Sequence, residues 1–178
     1  MSMKEWKKLK EELVYNGYRK VTRVSYKLPN GVEADFDVNL SKLKVACTFA
    51  ITKDNKVIIA KQFRPGPEKV LYELPGGAVD AGETLEEGAK RELLEETGYT
   101  GDLVYLGGYY LDAYSNQFRN TFVATNCHKV QEPSGDDHEF IEVEEMELSK
   151  FQDILSMGLL TDSSSARAAL DYLESTKV

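Results

Sequence analysis

The sequence predicts an α+β fold, mixed β-sheets sandwiched by helices, preceded by an N-terminal antiparallel β-extension. Three observations predict it. Two alternating stretches, Tyr18 to Lys27 and Val32 to Val38, flank the turn signal Pro29-Asn30-Gly31. A glycine turn, Pro75-Gly76-Gly77, opens into one short acidic helix. Strands stand on both sides of that helix and further helices close the chain, the pattern of a mixed sheet covered on its faces.

Each element has a local reason. After a short charged stretch, the two alternating runs read as a β-hairpin. A lone hairpin is marginally stable, so it must pack on the main domain or on a second chain. Residues 1–44 are therefore read as a dimer-forming β-extension, and residues 45–178 as the main domain. Leu43 to Thr52 and Lys56 to Phe63 are the next strands, with Asp54-Asn55 as their turn. Leu71 to Leu74 feeds the glycine turn. Thr84 with Glu87 makes a capping box, Leu85, Ala89 and Leu93 form the apolar stripe, and Gly98 is a left-handed C-terminal cap. Leu103 to Tyr110 and Arg119 to Asn126 are strands, Gln131 to Asp137 a loop, and Glu139 to Glu147 a further strand. Ser149 with Gln152 predicts a second capping box on a helix that stops at Gly158. Asp162 or Ser163 opens the last helix.

At 178 residues the chain fits one domain with a small appendage. A net charge of -8 argues against nucleic acid or an anionic membrane as partner. It leaves room for a phosphate substrate if a divalent ion supplies the positive field. Cys47 and Cys127 stand in no metal spacing and read as buried free thiols. With no apolar signal core at the start and no membrane-length run, the expected setting is reducing and cytoplasmic.

The chemistry concentrates on the helix. Residues three and four apart share a helical face, so Glu92, Glu95 and Glu96 point the same way. Three like charges that close repel unless a cation lies between them. Magnesium suits such a site, because it takes oxygen ligands and keeps several waters. A backbone carbonyl at Gly76 would complete the shell. The reaction this supports is hydrolysis of a diphosphate. Asp136, Asp137 and Glu139 are candidates to accept the proton, in a stretch from Glu132 to Glu147 that has eight acids and no Lys or Arg. Most of those acids read as a solvated edge, and His128 and His138 as lone surface residues.

Gly77 to Tyr99 resembles the signature of the Nudix hydrolases. Gly77, Glu83, Arg91, Glu92, Leu93, Glu95, Glu96 and Gly98 fall at its fixed places, and Tyr99 stands where an aliphatic residue is usual. The resemblance implies a Nudix fold, with Glu92 and Glu96 as metal ligands and Glu95 binding metal or assisting water. It implies a structural pairing of Glu83 with Arg91. Magnesium is the expected ion, with manganese as a substitute. Gln62-Phe63-Arg64 and Glu73-Leu74-Pro75-Gly76-Gly77 resemble the nucleoside-diphosphate-sugar hydrolases, above all the ADP-ribose pyrophosphatase branch. That branch implies an Arg64 contact to the diphosphate, a homodimer built through the N-terminal extension, and a proton acceptor in the acidic loop, Glu139 or Asp137. One departure is that Tyr110 to Asn116 lacks the proline usual there. Tyr109, Tyr110 and Tyr114 are read either as half-buried packing, the commoner fate of strand tyrosines, or as aromatics that stack on a base; Tyr114 is the substrate-binding candidate, although dinucleoside polyphosphate hydrolases also carry a tyrosine slightly further on. The small-molecule substrate implied is a nucleotide sugar, with ADP-ribose first. Other nucleotides are the alternative: a GDP-sugar, a dinucleoside polyphosphate or a modified nucleoside triphosphate. A non-catalytic sensor is the rival of another class.

Overall fold

The computed structural model describes residues 4–134 and 140–176. They form two compact units, one of Met1–Leu43 with Tyr110–Phe118 and one of Lys44–Tyr109 with Arg119–Val178.

In the first unit, β1 (Lys7–Asn16), β2 (Lys20–Lys27) and β3 (Glu33–Val38) form an antiparallel sheet in that order. The expected hairpin is β2–β3, closed by the Leu28 amide donating to Val32 O at 2.8 Å, with Gly31 at φ 87°. The charged stretch before it is a strand that the sequence reading passed over. All ten residues of β1 are exposed, so no face of it carries the apolar alternation that burial imposes. Its ladder to β2 holds it, with two bulges on the way. Trp6, Tyr26 and Phe36 cluster with ring centroids 5.3 to 6.1 Å apart. Arg23 forks onto Asp37 at 2.8 and 3.0 Å. The loop of this unit is tied in by the Asn39 amide, which donates to Tyr114 O at 2.8 Å.

In the second unit the main sheet runs β10 (Glu142–Glu147), β5 (Lys56–Arg64), β4 (Val45–Thr52), β9 (Phe118–Lys129), β8 (Tyr99–Tyr110). β6 (Lys69–Glu73) pairs with β5, and β7 (Gly76–Ala78) with β4. β4 and β9 are parallel. The sheet is sandwiched. Cys47, Phe49 and Ile51 of β4 pack with Phe151, Ile154 and Leu155 of α2 (Leu148–Ser156) and Ala166 and Ala169 of α3 (Ser163–Ser175). Ala46 and Ala50 face the other way, toward Ala89 and Leu93 of α1 (Leu85–Thr97). That period of two on a strand buried along both faces is why β4 reads as an unbroken apolar run.

Three local expectations are corrected. Gly76 and Gly77 are strand rather than turn, because glycine lets this backbone close on β4: a Cβ at Gly76 would stand 2.3 Å from Ala46 O. Ser149 and Gln152 form no capping box. β10 runs straight into α2, whose N-cap is Glu147 with no side-chain cap bond. The strand expected from Glu139 begins at Glu142, Glu139 itself lying outside the described residues. Both thiols are free and buried, as expected.

Candidate active site

α1 begins where local chemistry says it should. Thr84 accepts from the Glu87 amide and Glu87 reaches back to Thr84, a reciprocal capping box. It ends at Gly98, φ 78°, whose amide donates to Leu94 O at 2.8 Å. The Gly98 carbonyl then accepts from Val130 and Gln131, and Glu95 O from Ser134 at 2.7 Å. Between these fixed ends the acidic face is held in register.

Arg91 organises that face. Its Nε and Nη2 donate to Glu83 at 2.9 and 3.1 Å, and its Nη1 to Glu92 and Glu95 at 3.0 Å each. A further bond from Nη2 to Ala78 O, at 2.8 Å, ties the helix to β7. The guanidinium holds the Glu83 carboxyl below its ordinary range, and the three carboxylates hold Arg91 protonated. Glu92 is the most covered of its partners, with 15% of its side chain exposed against 43% for Glu95.

Gly76 and Gly77 meet the same face. The Gly76 amide donates to Glu96 Oε2 at 2.8 Å. Hydrogen bonds from Val79 N to Lys44 O and from Thr48 N to Pro75 O bracket the β4–β7 ladder. In that register Cys47 and Gly76 form a non-hydrogen-bonded pair, so the Gly76 N–H and C=O turn away from β4. A Cβ on Gly77 would stand 2.6 Å from Glu92 Oε1. Glycine here leaves the volume that the carboxylate fills.

Arg64, at the end of β5, grips Glu73 of β6 through both Nε and Nη2. Glu73 is buried, and Arg64 is half-exposed. The pairing raises the Arg64 pKa first, with Glu96 and Asp162 adding to it. Asp162 is itself buried. It accepts from Arg119 at 2.6 Å and from the Thr161 hydroxyl at 2.9 Å, and burial pushes its carboxyl up.

The fold thus brings Gly76, Gly77, Glu83, Arg91, Glu92, Glu95 and Glu96 together at one helix–strand junction. Tyr114 belongs to the first unit, where it is 59% exposed. Tyr109 is half-buried beside Ser165, with 3.3 Å between the hydroxyls, and Tyr110 stacks edge-on against Phe118 at 5.2 Å. Asp136, Asp137, His138 and Glu139 lie outside the described residues. The sequence reading missed the role of Glu73 as the holder of Arg64, the Arg119–Asp162 pair, and the bond from Tyr99 to Glu145. The advance signals were Tyr99, an aromatic where the signature usually has an aliphatic residue, and Glu73 at the head of the Glu73-Leu74-Pro75-Gly76-Gly77 stretch.

The Nudix domain profile matches residues 42–165. The chain belongs to the Nudix hydrolase family. It is 32% identical over 150 residues to an ADP-ribose pyrophosphatase of Bacillus subtilis, covering 83% of this chain and 80% of that one. It is 34% identical over 151 residues to an ADP-ribose pyrophosphatase of Saccharomyces cerevisiae, covering 74% of this chain and 64% of that one. A methanol dehydrogenase activator of Bacillus methanolicus is 29% identical over 174 residues, covering 96% and 93%. The fold matches a crystal structure of an ADP compounds hydrolase with a TM-score of 0.86 at 22% identity, over 99% of this chain and 98% of that one. As a family member with every signature glutamate in place, the chain is a Nudix pyrophosphatase, a hydrolase acting on acid anhydrides.

Nudix hydrolases generally use divalent cations. Among the described residues no three His, Cys, Asp or Glu side chains close into a preformed cage. The donors present nonetheless fit a hard cation that keeps its own waters. They are all oxygen, Gly77 leaves the cradle for Glu92, and Gly76 turns its carbonyl away from β4. Among the described residues, no helix is long and apolar enough to cross a membrane.

Proposed function

We propose that this chain hydrolyses the diphosphate bond of a nucleoside diphosphate linked to a sugar, ADP-ribose first, giving AMP and ribose 5-phosphate. The observation that carries the reading is the convergence of Glu92 and Glu96 on the Gly76-Gly77 strand. Pyrophosphatase relatives named for ADP-ribose support the substrate class.

Glu92, Glu95, Glu96 and the Gly76 carbonyl are the residues that would hold Mg2+, or Mn2+ in its place. When bound, such an ion neutralises phosphate oxygens and acidifies a water. Arg64, already oriented by Glu73, offers its exposed part to the diphosphate. Glu95, Glu139 and Asp137 are the groups proposed to take the proton, Glu95 being the described one. Glu83, Arg91 and Gly77 hold the frame.

The deciding experiment is a magnesium-dependent screen over ADP-ribose, GDP-sugars, dinucleoside polyphosphates and modified nucleoside triphosphates. ADP-ribose should give the highest kcat/KM and yield AMP. Preference for another nucleotide would move the substrate. Binding without cleavage at every magnesium concentration would make the chain a sensor.

Residues 1–44 are proposed as a dimer-forming extension to a catalytic domain of residues 45–178. β1 supports this as an exposed edge strand carrying Leu9, Leu13 and Tyr15, 42%, 52% and 60% exposed. Sedimentation of the full chain should show a homodimer, and a monomer would reject the extension's role. A cytoplasmic setting agrees with the two free thiols.

A further inference from the structure

Arg119 opens β9 and Arg64 closes β5. β9 runs parallel to β4, with Arg119 beside Val45, and β5 runs antiparallel to it, with Ile58 beside Ala50. Both arginines therefore stand at the end of the main sheet where β4 begins. β7 pairs at that same end, Ala78 also facing Val45.

The two guanidiniums are held by different edges. Arg64 engages Glu73 through its side fork, Nε and Nη2, the edge that Arg23 also presents to Asp37. Arg119 is held from its other side. Its Nη1 donates to Asp162 at 2.6 Å, the one side-chain hydrogen bond it makes among the described residues. Its Nε is covered and has no partner. A covered N–H without an acceptor is uncommon, and the Nε–Nη2 fork is the edge that matches the paired oxygens of a carboxylate or phosphate. The side chain is 27% exposed, so it is open to solvent.

Asp162 ties this arginine to the candidate active site. The segment leading to it is bonded to β6, the Tyr72 amide donating to Leu159 O and the Thr161 amide to Tyr72 O at 3.1 Å each. The next residue of β6 is Glu73, which takes Arg64, and three further on the Gly76 amide reaches Glu96. The charges sense one another. After Glu73, both Glu96 and Asp162 add to the raised pKa of Arg64. Burial raises the Asp162 carboxyl, and Arg119 opposes that, with the Thr161 hydroxyl and the Leu74 amide assisting it. Two covered carboxylates thus hold two part-exposed guanidiniums at one end of the sheet, and only the Arg119 fork lacks an acceptor. A diphosphate carries two adjacent anionic groups, one for each arginine.

We propose that Arg119 is a second diphosphate-binding residue, its Nε–Nη2 edge donating to non-bridging oxygens of the same nucleotide sugar that Arg64 contacts. Asp162 is the positioning residue that holds it from behind. The inference rests on the diphosphate reading above and adds β9 to it.

The test uses the full chain with Mg2+ and α,β-methylene-ADP, a nucleotide whose bridge is not hydrolysed. Binding is read by calorimetry and folding by Tm. Arg119→Lys keeps a cation beside Asp162 and removes the fork. It should weaken binding by about tenfold, as should Arg64→Lys, and should raise KM for ADP-ribose with kcat nearly unchanged. Arg119→Met combined with Asp162→Asn removes the ion pair as a unit and should lose at least as much affinity; it decides the matter if Arg119→Lys does not fold. Wild-type affinity in the Arg119 variants, with Arg64→Lys weakened, overturns this proposal and leaves the diphosphate reading standing. Wild-type affinity in Arg64→Lys as well, or no binding of the probe to the unmodified chain, overturns that reading too. A loss confined to kcat and Tm, with affinity kept, makes Arg119 a structural residue and overturns the proposal.

Discussion

Gly77 and Glu92 share one space: the position of a Cβ on the glycine lies 2.6 to 2.7 Å from all three atoms of the glutamate's carboxyl group. The contact is with the far end of a flexible side chain, so an added methyl group moves Glu92 rather than the backbone. Gly77→Ala should therefore lower turnover by at least tenfold while Tm changes little. Kinetics beside a melting curve checks this, and a loss of fold with preserved activity per folded molecule would contradict it.

Glu96→Gln keeps an oxygen for the Gly76 amide and removes the charge. We expect turnover to fall by about 100-fold, roughly 3 kcal/mol of transition-state stabilisation, with the fold intact by circular dichroism. Near-normal turnover would remove Glu96 from the site.

Arg64 and Glu73 are matched as a fork, a geometry that lysine cannot reproduce. Arg64→Lys should raise KM for the nucleotide sugar by about tenfold, about 1.4 kcal/mol, with kcat less affected. Steady-state kinetics separates the two constants, and an unchanged KM would remove Arg64 from substrate binding.

The Tyr99 hydroxyl donates to Glu145, and the phenol is pushed up to about 12 by burial first and by that carboxylate second. A raised folded-state value means that this contribution to stability is complete below the ordinary value of about 10. It is lost as pH climbs through 12. Alkaline unfolding of the wild type should thus steepen between about pH 10 and pH 12, and Tyr99→Phe should lack that component. Identical profiles would show the bond to be idle.

Asp162 is 4% exposed beside Arg119, so deleting the arginine strands a buried carboxylate. Arg119→Met should destabilise the fold by about 3–5 kcal/mol, and adding Asp162→Asn should recover part of the loss. Urea denaturation of the four proteins in this cycle measures it. Additive losses would mean that the two residues do not act as a pair.

How much of this was legible in sequence depends on the distance over which each feature is determined. α1 was, because Thr84, Glu87 and Gly98 act within a few residues of themselves. So were the alternating strands β2 and β3. β1 was not, since an exposed edge strand rich in Lys and Glu has no apolar period to display. The glycine strand at Gly76 was read as a turn because its pairing depends on how closely Ala46 approaches, which no local rule contains. The glutamates of the site were visible through helical spacing. Their supports, Glu73 for Arg64 and Gly76 for Glu96, join residues 9 and 20 positions apart and emerge only on folding.

The Pro75–Gly76 peptide touches β4 with its oxygen and Glu96 with its amide proton. Isotope labelling would turn that arrangement into a spectroscopic handle. Any ligand that draws on the glutamate repolarises the peptide and shifts the Thr48 amide resonance, deep in the sheet, where substrate itself does not reach. Occupancy of the surface site is thereby recorded in the core of the protein.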